Sequence, residues 1–366
     1  MLYNLSIYLI KSVSINKLNI IYLIFNYFRD FEKELYIYYY FTNWDVSNII
    51  KRNKDWYNNL FLRFHMKKRS ISNYKSSNNQ LGHYLAGLIE SDGSIIIPKK
   101  KSNNSPTISI VFHLDDKPLA DCLRKKLGYG SLEIISSKKA VKLYIRGKRS
   151  ILDIMRLING KFRTPKIEKF QMLIGYVNNN WKEFLKIPLI HLPLDDSPLC
   201  ENSWLAGFSD GDAHLNINIT WPKSIEKKYG QIRLTFEIVQ SRLDEELFNK
   251  YKPIMNKLSL FFESKLEKHS VSKYDRSGKQ DAWRARIVNK KGADVLVKYF
   301  NNFPMFSSKY LNYLDWRSVH IMLNVNKEHI GENKVNTYNK VNLIKNGINS
   351  KRSNFNWDHL NYLYNR

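Results

Sequence analysis

A nine-residue phrase occurs twice in this 366-residue chain, once in each half. Leu85 to Gly93 reads LAGLIESDG, and Leu205 to Ala213 reads LAGFSDGDA. Both copies run apolar, small, Gly, apolar, a variable residue, an acid, a small residue and a second acid. The second acids, Asp92 and Asp212, stand 120 positions apart, the separation expected of two copies of one mid-sized domain. A duplicated helix ending in a carboxylate suggests two halves packed so that both acids meet at one point. That is a way to build a metal site on a two-fold axis. Ala86, Gly87, Ala206 and Gly207 are small because two helices must approach closely for the acids to meet.

The rest of the chain divides around these phrases. Residues 1–80 form an N-terminal extension without a catalytic signature, and 81–185 form the first repeat. Pro188, Pro193 and Pro198 mark 186–202 as an extended linker. The second repeat covers 203–325, and 326–366 is an Asn/Lys-rich tail. Within the first repeat, Thr107 to Leu114 alternates, with Ile108, Ile110 and Phe112 on one side and Thr107, Ser109, Val111 and His113 on the other. Pro118 to Leu127 reads as a helix closed by Gly128, and Val141 to Arg146 alternates again. Helical patterns follow at Ile151 to Ile158 and Lys166 to Tyr176. The second repeat spells the same order: strands over His214 to Thr220 and Gln231 to Ile238, a helix over Glu245 to Leu258, and a strand over Trp283 to Ile287. The periodicity predicts an α+β fold of two αββαββα units, each sheet with one apolar face and one polar face.

Composition narrows the partner. Lys and Arg total 59 against 33 Asp and Glu, a net charge of +26 and a pI near 9.7. Such an excess calls for a polyanion, and nucleic acid is a commoner answer than an anionic membrane surface. Cys122 and Cys200 alone supply neither a disulfide framework nor a Cys-based zinc site. The N-terminal stretch is apolar, but Lys11, Lys17 and Arg29 interrupt it, and the charge-free run Leu18 to Phe28 is too short to cross a bilayer. No membrane partner is expected. Richness in Asn, Lys, Ile and Tyr hints at an AT-rich organellar coding genome and a mitochondrial location.

The phrases resemble the signature of the LAGLIDADG homing endonucleases, in the single-chain form with two motifs. Ile158 to Lys166 (INGKFRTPK), Asn289 to Gly292 (NKKG) and Phe303 to Trp316 (FPMFSSKYLNYLDW) are similar to blocks of the fungal mitochondrial, intron-encoded branch. The likeness covers Leu81 to Leu323. It implies a pseudo-symmetric saddle over a long DNA site, cleavage of both strands across the minor groove, and intron mobility. Because the chain supplies both halves, it is expected to act as a monomer. The alternative on the same scaffold is a maturase that binds its own group I intron RNA.

Phosphodiester hydrolysis needs charge neutralised on the phosphate and a water activated for in-line attack, which carboxylate-bound Mg²⁺ or Mn²⁺ supplies. Asp92 and Asp212 are therefore the expected metal ligands. The resemblance adds the backbone carbonyls of Ser91 and Gly211 to that set. It also marks Lys166 and Lys309 as the basic residue near each site, and Gln240 as a polar residue lining the pocket, with Asp116 as its first-repeat counterpart. Glu90 and Asp210 read as helix-end hydrogen-bonding acids. Ala213 stands where Gly is usual, and would be strained if its φ had to be positive. A β-ribbon fits the major groove, where Asn and Gln pair with adenine, Arg with guanine, and Glu accepts from cytosine. The candidate readers are Ser94, Ile96, Thr107, Ser109, His113, Lys142, Tyr144 and Arg146 in the first repeat. In the second they are His214, Asn216, Asn218, Gln231, Arg233, Glu237, Arg284 and Arg286.

Overall fold

The computed structural model describes residues 79–99, 104–221, 230–241, 245–272, 279–327 and 334–364. All of them lie in one compact unit, Asn73–Arg366. The extension expected over 1–80 lies outside the described residues except for its last two, which begin a helix.

Two helices form the axis of the unit. Helix α1 covers 79–92 and carries the first phrase; α5, Trp204–Asp212, carries the second. Neither is amphipathic in the usual way. Every residue from 81 to 90 and from 204 to 210 is buried, as a helix that is apolar all round must be. They pack backbone to backbone. A Cβ on Gly87 would land on the Trp204 carbonyl oxygen, and one on Gly207 on the Tyr84 carbonyl oxygen. The glycines are there for close approach.

Each axial helix feeds a four-stranded antiparallel sheet. In the first half β1 (Gly93–Ile96), β2 (Thr107–His113), β3 (Ser131–Ile135) and β4 (Ala140–Ile145) lie in the order β1-β2-β4-β3. In the second, β5 (Ala213–Thr220), β6 (Gln231–Ser241), β7 (Glu267–Ser272) and β8 (Lys279–Ile287) repeat it as β5-β6-β8-β7. Helices α2 (Lys117–Leu127), α3 (Lys148–Ile158) and α4 (Ile167–Asn180) complete the first half. Their counterparts are α6 (Glu245–Phe261), α7 (Lys290–Asn302) and α8 (Lys309–Asn324). The two-copy α+β architecture read from the alternation is the observed one. One continuous core runs through both halves, from Ile108, Ile110 and Leu143 to Leu215, Ile217 and Ala285. Among the described residues, no helix is long and apolar enough to cross a membrane.

The proline-rich connection is extended and is pinned at several points. Asn178 brackets Leu189 through both its amide groups, and Asn159 bonds Ile190 and Leu192 in the same way. Further on, Asp195 accepts from Arg163 Nη2 at 2.8 Å and lies 3.4 Å from His83 Nδ1. Burial would raise the Asp195 carboxyl, but His83, Ser197 and Arg163 outweigh it and hold the group below the usual carboxylate range. The Arg163 side chain is only 1% exposed, so its charge has no access to water. Asp195→Asn should therefore destabilise the fold by about 3 kcal/mol, as removing one partner of a buried ion pair does. Urea unfolding would read this directly. Because the folded-state pKa is depressed, the wild-type advantage is present above the unfolded carboxyl's pKa and is lost as pH falls through the folded one.

The C-terminal residues are part of the same unit. Helix α9 (Lys334–Lys345) packs against β5, and Asn349 Nδ2 donates to the Leu215 carbonyl at 2.9 Å. Lys126 Nζ, from the first half, donates to the Tyr364 carbonyl. The Tyr364 ring sits 5.8 Å from Tyr84 and 5.5 Å from Phe306. The tail thus closes over the junction of the two halves.

Candidate active site and nucleic-acid interface

The two acids stand at the last residues of α1 and α5, where the axial helices meet. An ideal Cβ on Gly211 would lie 3.1 Å from Asp92 Oδ2, so the first-half carboxylate reaches the end of the second-half helix. Burial raises the Asp212 carboxyl to about 6, with the charge of Asp92 adding to it. Burial also raises Asp92, although its edge stays open to solvent, while Lys309 and Lys166 pull the other way. Gln240 Nε2 donates to Asp212 Oδ2 at 2.6 Å.

Below these acids, a second pair locks the helices together. Glu90 accepts from the Arg163 and Thr164 amides at 2.9 and 2.5 Å, within its own half. It also accepts from Trp204 Nε1, at the start of the opposite helix. Asp210 does the same in mirror: the Phe306 and Ser307 amides and the Ser307 hydroxyl from its own half, and the Tyr84 hydroxyl at 2.6 Å from the other. Burial raises Glu90 to about 7 and Asp210 to about 6 against the pull of these donors. The structural role read for both acids is the one observed. Tyr84 and Trp204 were not singled out by sequence, yet they stand at the same 120-residue separation as Asp92 and Asp212.

The two lysines cap the helix ends. Lys166 Nζ donates to the carbonyls of Ile89 and Gly93 at 2.9 Å and of Ser91 at 3.3 Å. Lys309 Nζ donates to the Ser209 and Gly211 carbonyls. A cation is favoured at a helix C-terminus, which is negative. Burial lowers both ammonium pKa values, and the surrounding carboxylates oppose the shift.

The halves are not equivalent around the acids. Gly93 pairs with Ile110 and Ala213 with Ile238, so the residue matching Gln240 is Phe112, not Asp116. Asp116 sits on the short turn after β2 and accepts from the Ser308 amide of the other half at 2.6 Å, where its charge still acts on Asp92 and Lys309. Ala213 has φ −76° and ψ 145°, ordinary extended backbone, so it carries no strain. Gly93 is Gly for room, since a Cβ there would crowd Ile89.

A divalent ion would find hard oxygen donors here: two carboxylates and the Ser91 and Gly211 carbonyls. Each carbonyl keeps a second lone pair beyond the one the lysine engages. Among the described residues no cluster of three or more His, Cys, Asp or Glu side chains forms a metal site, so main-chain oxygens would be needed to complete the set.

The sheet register sorts the candidate DNA readers. In the second sheet, His214, Glu237 and Arg286 align across three strands, as do Asn216 with Thr235, Asn218 with Arg233, and Thr220 with Gln231. His214, Asn218, Gln231 and Arg233 are exposed, and Asn216 and Glu237 half-buried. Arg284 and Arg286 are both tied to Glu267 of β7, at 2.5 and 2.9 Å, a partner the alternation did not reveal. In the first sheet Ser94, Ile96 and His113 are exposed, and Arg146 lies just past β4. Lys142 and Arg146 flank the Tyr144 ring at 4.8 and 4.0 Å. Thr107 and Ser109 are an exception to the expected outward face, being buried at 9% and 0% exposure. Ser109 sits in register between Ser94 and Tyr144, in the middle of the sheet.

Comparison with known proteins agrees with this geometry. The family model for the LAGLIDADG endonuclease matches residues 85–177 and 205–320. A Schizosaccharomyces pombe protein described as an uncharacterized cox1 intron-2 protein is 31% identical over 276 residues, 75% of each chain. The intron-encoded DNA endonuclease aI3 of Saccharomyces cerevisiae is 28% identical, over 80% of this chain and 75% of its own. Among solved structures, the meganuclease I-AabMI bound to uncleaved DNA has a TM-score of 0.54 at 20% identity. It covers 73% of this chain and 99% of its own, which speaks for the fold. With one family model matching both copies over more than half of its length, the chain belongs to the LAGLIDADG endonuclease family.

Proposed function

We propose that the chain is a site-specific double-strand DNA homing endonuclease that acts as a monomer in mitochondria and promotes intron mobility. The observation that carries this reading is the pairing of Asp92 and Asp212 at the abutting ends of two pseudo-equivalent helices, each beside a lysine. The matching relatives include intron-encoded endonucleases. The polar faces of the two sheets lie in the major groove and set the register of the duplex. Asp92, Asp212 and the Ser91 and Gly211 carbonyls would hold Mg²⁺ or Mn²⁺, which would supply charge neutralisation and an acidified water. Lys166 and Lys309 hold the helix ends in place and keep positive charge beside both carboxylates. Gln240 fixes the Asp212 carboxylate on one side only, the matching strand position in the other half being the buried core residue Phe112.

Incubating the protein with a duplex that spans the intron-less allele, with Mg²⁺ and with chelator, tests this. Specific double-strand breaks in the first and none in the second are expected; binding without cleavage would reject the nuclease. The second reading, a group I intron maturase, is favoured by the intron-encoded RNA maturase bI4 of S. cerevisiae. It is 29% identical over 180 residues, 47% of this chain and 26% of its own.

Base readout and simple charge attraction predict different outcomes. Asn216→Ala and Asn218→Ala should each relax preference at one or two base pairs, by roughly 1–3 kcal/mol per bidentate contact. Their salt dependence should stay unchanged, because no phosphate-neutralising charge is removed. A base-preference profile identical to wild type would remove β5 from the readout.

A further inference from the structure

Outside the active site, a pocket among the described residues is lined by two residues that each bury a polar atom without a hydrogen bond. It opens in the helix layer of the second half, between α7, α8 and the C-terminal turn Asp358–Tyr362, with a volume of about 180 Å³. Tyr310, Tyr313, Leu314 and Arg317 form one stripe along α8, and His359 and Tyr362 face them. Trp316, on the neighbouring face of α8, is buried and donates to the Thr235 carbonyl of β6 at 3.1 Å. That places α8 over its own sheet and turns the pocket away from the sheet's polar face.

Three features define what the pocket accepts. First, two of its wall residues, Tyr310 and His359, end a column of near-parallel rings. Phe355 stacks on Trp357, Trp357 on His359 at 5.6 Å, and His359 on Tyr310 at 4.6 Å. Second, Tyr313 is 1% exposed and its hydroxyl makes no hydrogen bond, and the buried Nε of Arg317 makes none either. Two buried donors facing one space are complemented by anionic or carbonyl oxygen. Third, Tyr362 stands at the rim with 76% of its surface exposed, an uncovered aromatic ring beside a guanidinium. The space is smaller than the roughly 300 Å³ of a typical small-molecule site, which suits one planar ring system.

We infer that this pocket takes a single unstacked nucleotide of a nucleic-acid strand, its base against the aromatic column and rim and its phosphate at Arg317 and the Tyr313 hydroxyl. Aromatic stacking combined with a cation is how proteins hold unpaired bases, and a chain of net charge +26 favours the polyanion over a neutral planar ligand. The inference is independent of DNA cleavage, since the pocket and the paired acids share no residue.

The test uses the full chain with its sheet faces saturated by duplex DNA in chelator, and labelled pentamers of single-stranded RNA or DNA as probes, with AMP as competitor. Tyr362→Ala and Arg317→Gln should each weaken pentamer binding about tenfold, the loss expected for one stacked base or one phosphate contact. Tyr313→Phe should weaken it less, and duplex cleavage should be unchanged in all three. Tighter binding of the RNA pentamer names RNA as the source of the nucleotide, and equal binding names any single strand. If both pentamers bind Tyr362→Ala and Arg317→Gln as they bind wild type, the inference fails; exposed Tyr362 can be replaced without risk to folding. If AMP binds while both pentamers are rejected, the pocket is a mononucleotide site and the strand assignment is wrong.

Discussion

Asp92→Asn and Asp212→Asn should each abolish double-strand cleavage while leaving DNA affinity near wild type. Each removes a unit of negative charge from the point where the axial helices meet, and neither touches a sheet face. If the acids hold the ion that stabilises the transition state, the loss should be on the order of 10³-fold or more, about 4 kcal/mol. A plasmid-linearisation assay beside a binding titration separates the two effects. Linearisation at the wild-type rate by either variant would falsify the active-site assignment. Stability should move in the opposite direction. Asp212 is raised to about 6 by burial and by Asp92 beside it. An acid whose folded-state pKa lies above its unfolded one favours folding at low pH and loses that advantage as pH rises through the interval. At neutral pH the ionised Asp212 therefore weighs against the fold, and Asp212→Asn in metal-free buffer should melt higher than wild type. Gain of stability with loss of cutting is the pattern of a functional residue.

The site was legible in sequence to the extent that it is repeated. Asp92 and Asp212 and the buried acids Glu90 and Asp210 all sit in the phrase that occurs twice, whereas Lys166 and Lys309 lie far from it and are marked by the family resemblance alone. Tyr84 and Trp204 show the limit of that reading. In one copy each is simply a core aromatic; only their matching separation marks them as the cross-half donors to Asp210 and Glu90. Phe112 and Asp116 show another limit. β5 is twice as long as β1, so the second hairpin is the longer one and only the strand register reveals which residue matches Gln240.

The fold was legible wherever burial alternates. β4 and β5 largely bury one side and their period is plain, while β2 alternates in sequence although Thr107 and Ser109 are buried as well. β3 is an edge strand with no fully buried residue, so no alternation marks it. β7 is likewise an edge strand, and its Glu267 reaches across to Arg284 and Arg286. The tail was opaque for a different reason. Its anchors, Asn349, His359 and Tyr364, are scattered polar and aromatic residues that bind surfaces made by distant segments.

The second large effect concerns the axis itself. The active site exists only because two helices touch along their backbones, and Gly87 and Gly207 are where they do. A Cβ on Gly207 would overlap the Tyr84 carbonyl and press on Leu88 as well, and one on Gly87 would overlap the Trp204 carbonyl. These obstacles are main chain, so no rotamer can yield. The helices would have to separate. Overpacking of this kind typically destabilises by about 1–3 kcal/mol, and backbone-on-backbone overlap belongs at or above the upper end. Separation would also lengthen the bonds from Trp204 to Glu90 and from Tyr84 to Asp210, two of those that cross the junction. Gly207→Ala should therefore lower the unfolding midpoint by several degrees and sharply reduce cleavage, through lost alignment of Asp92 and Asp212 rather than lost charge. The distinction is measurable. Asp212→Asn should be inactive but stable, whereas Gly207→Ala should be both unstable and inactive, and Gly207→Ala with Gly87→Ala should be worse than either alone. Gly175 on α4 is the control, since a Cβ there meets nothing and Gly175→Ala should be silent or mildly stabilising through helix propensity. If Gly207→Ala unfolds and cuts like wild type, the helices do not meet at that position, and the geometry that brings the two acids together must be wrong.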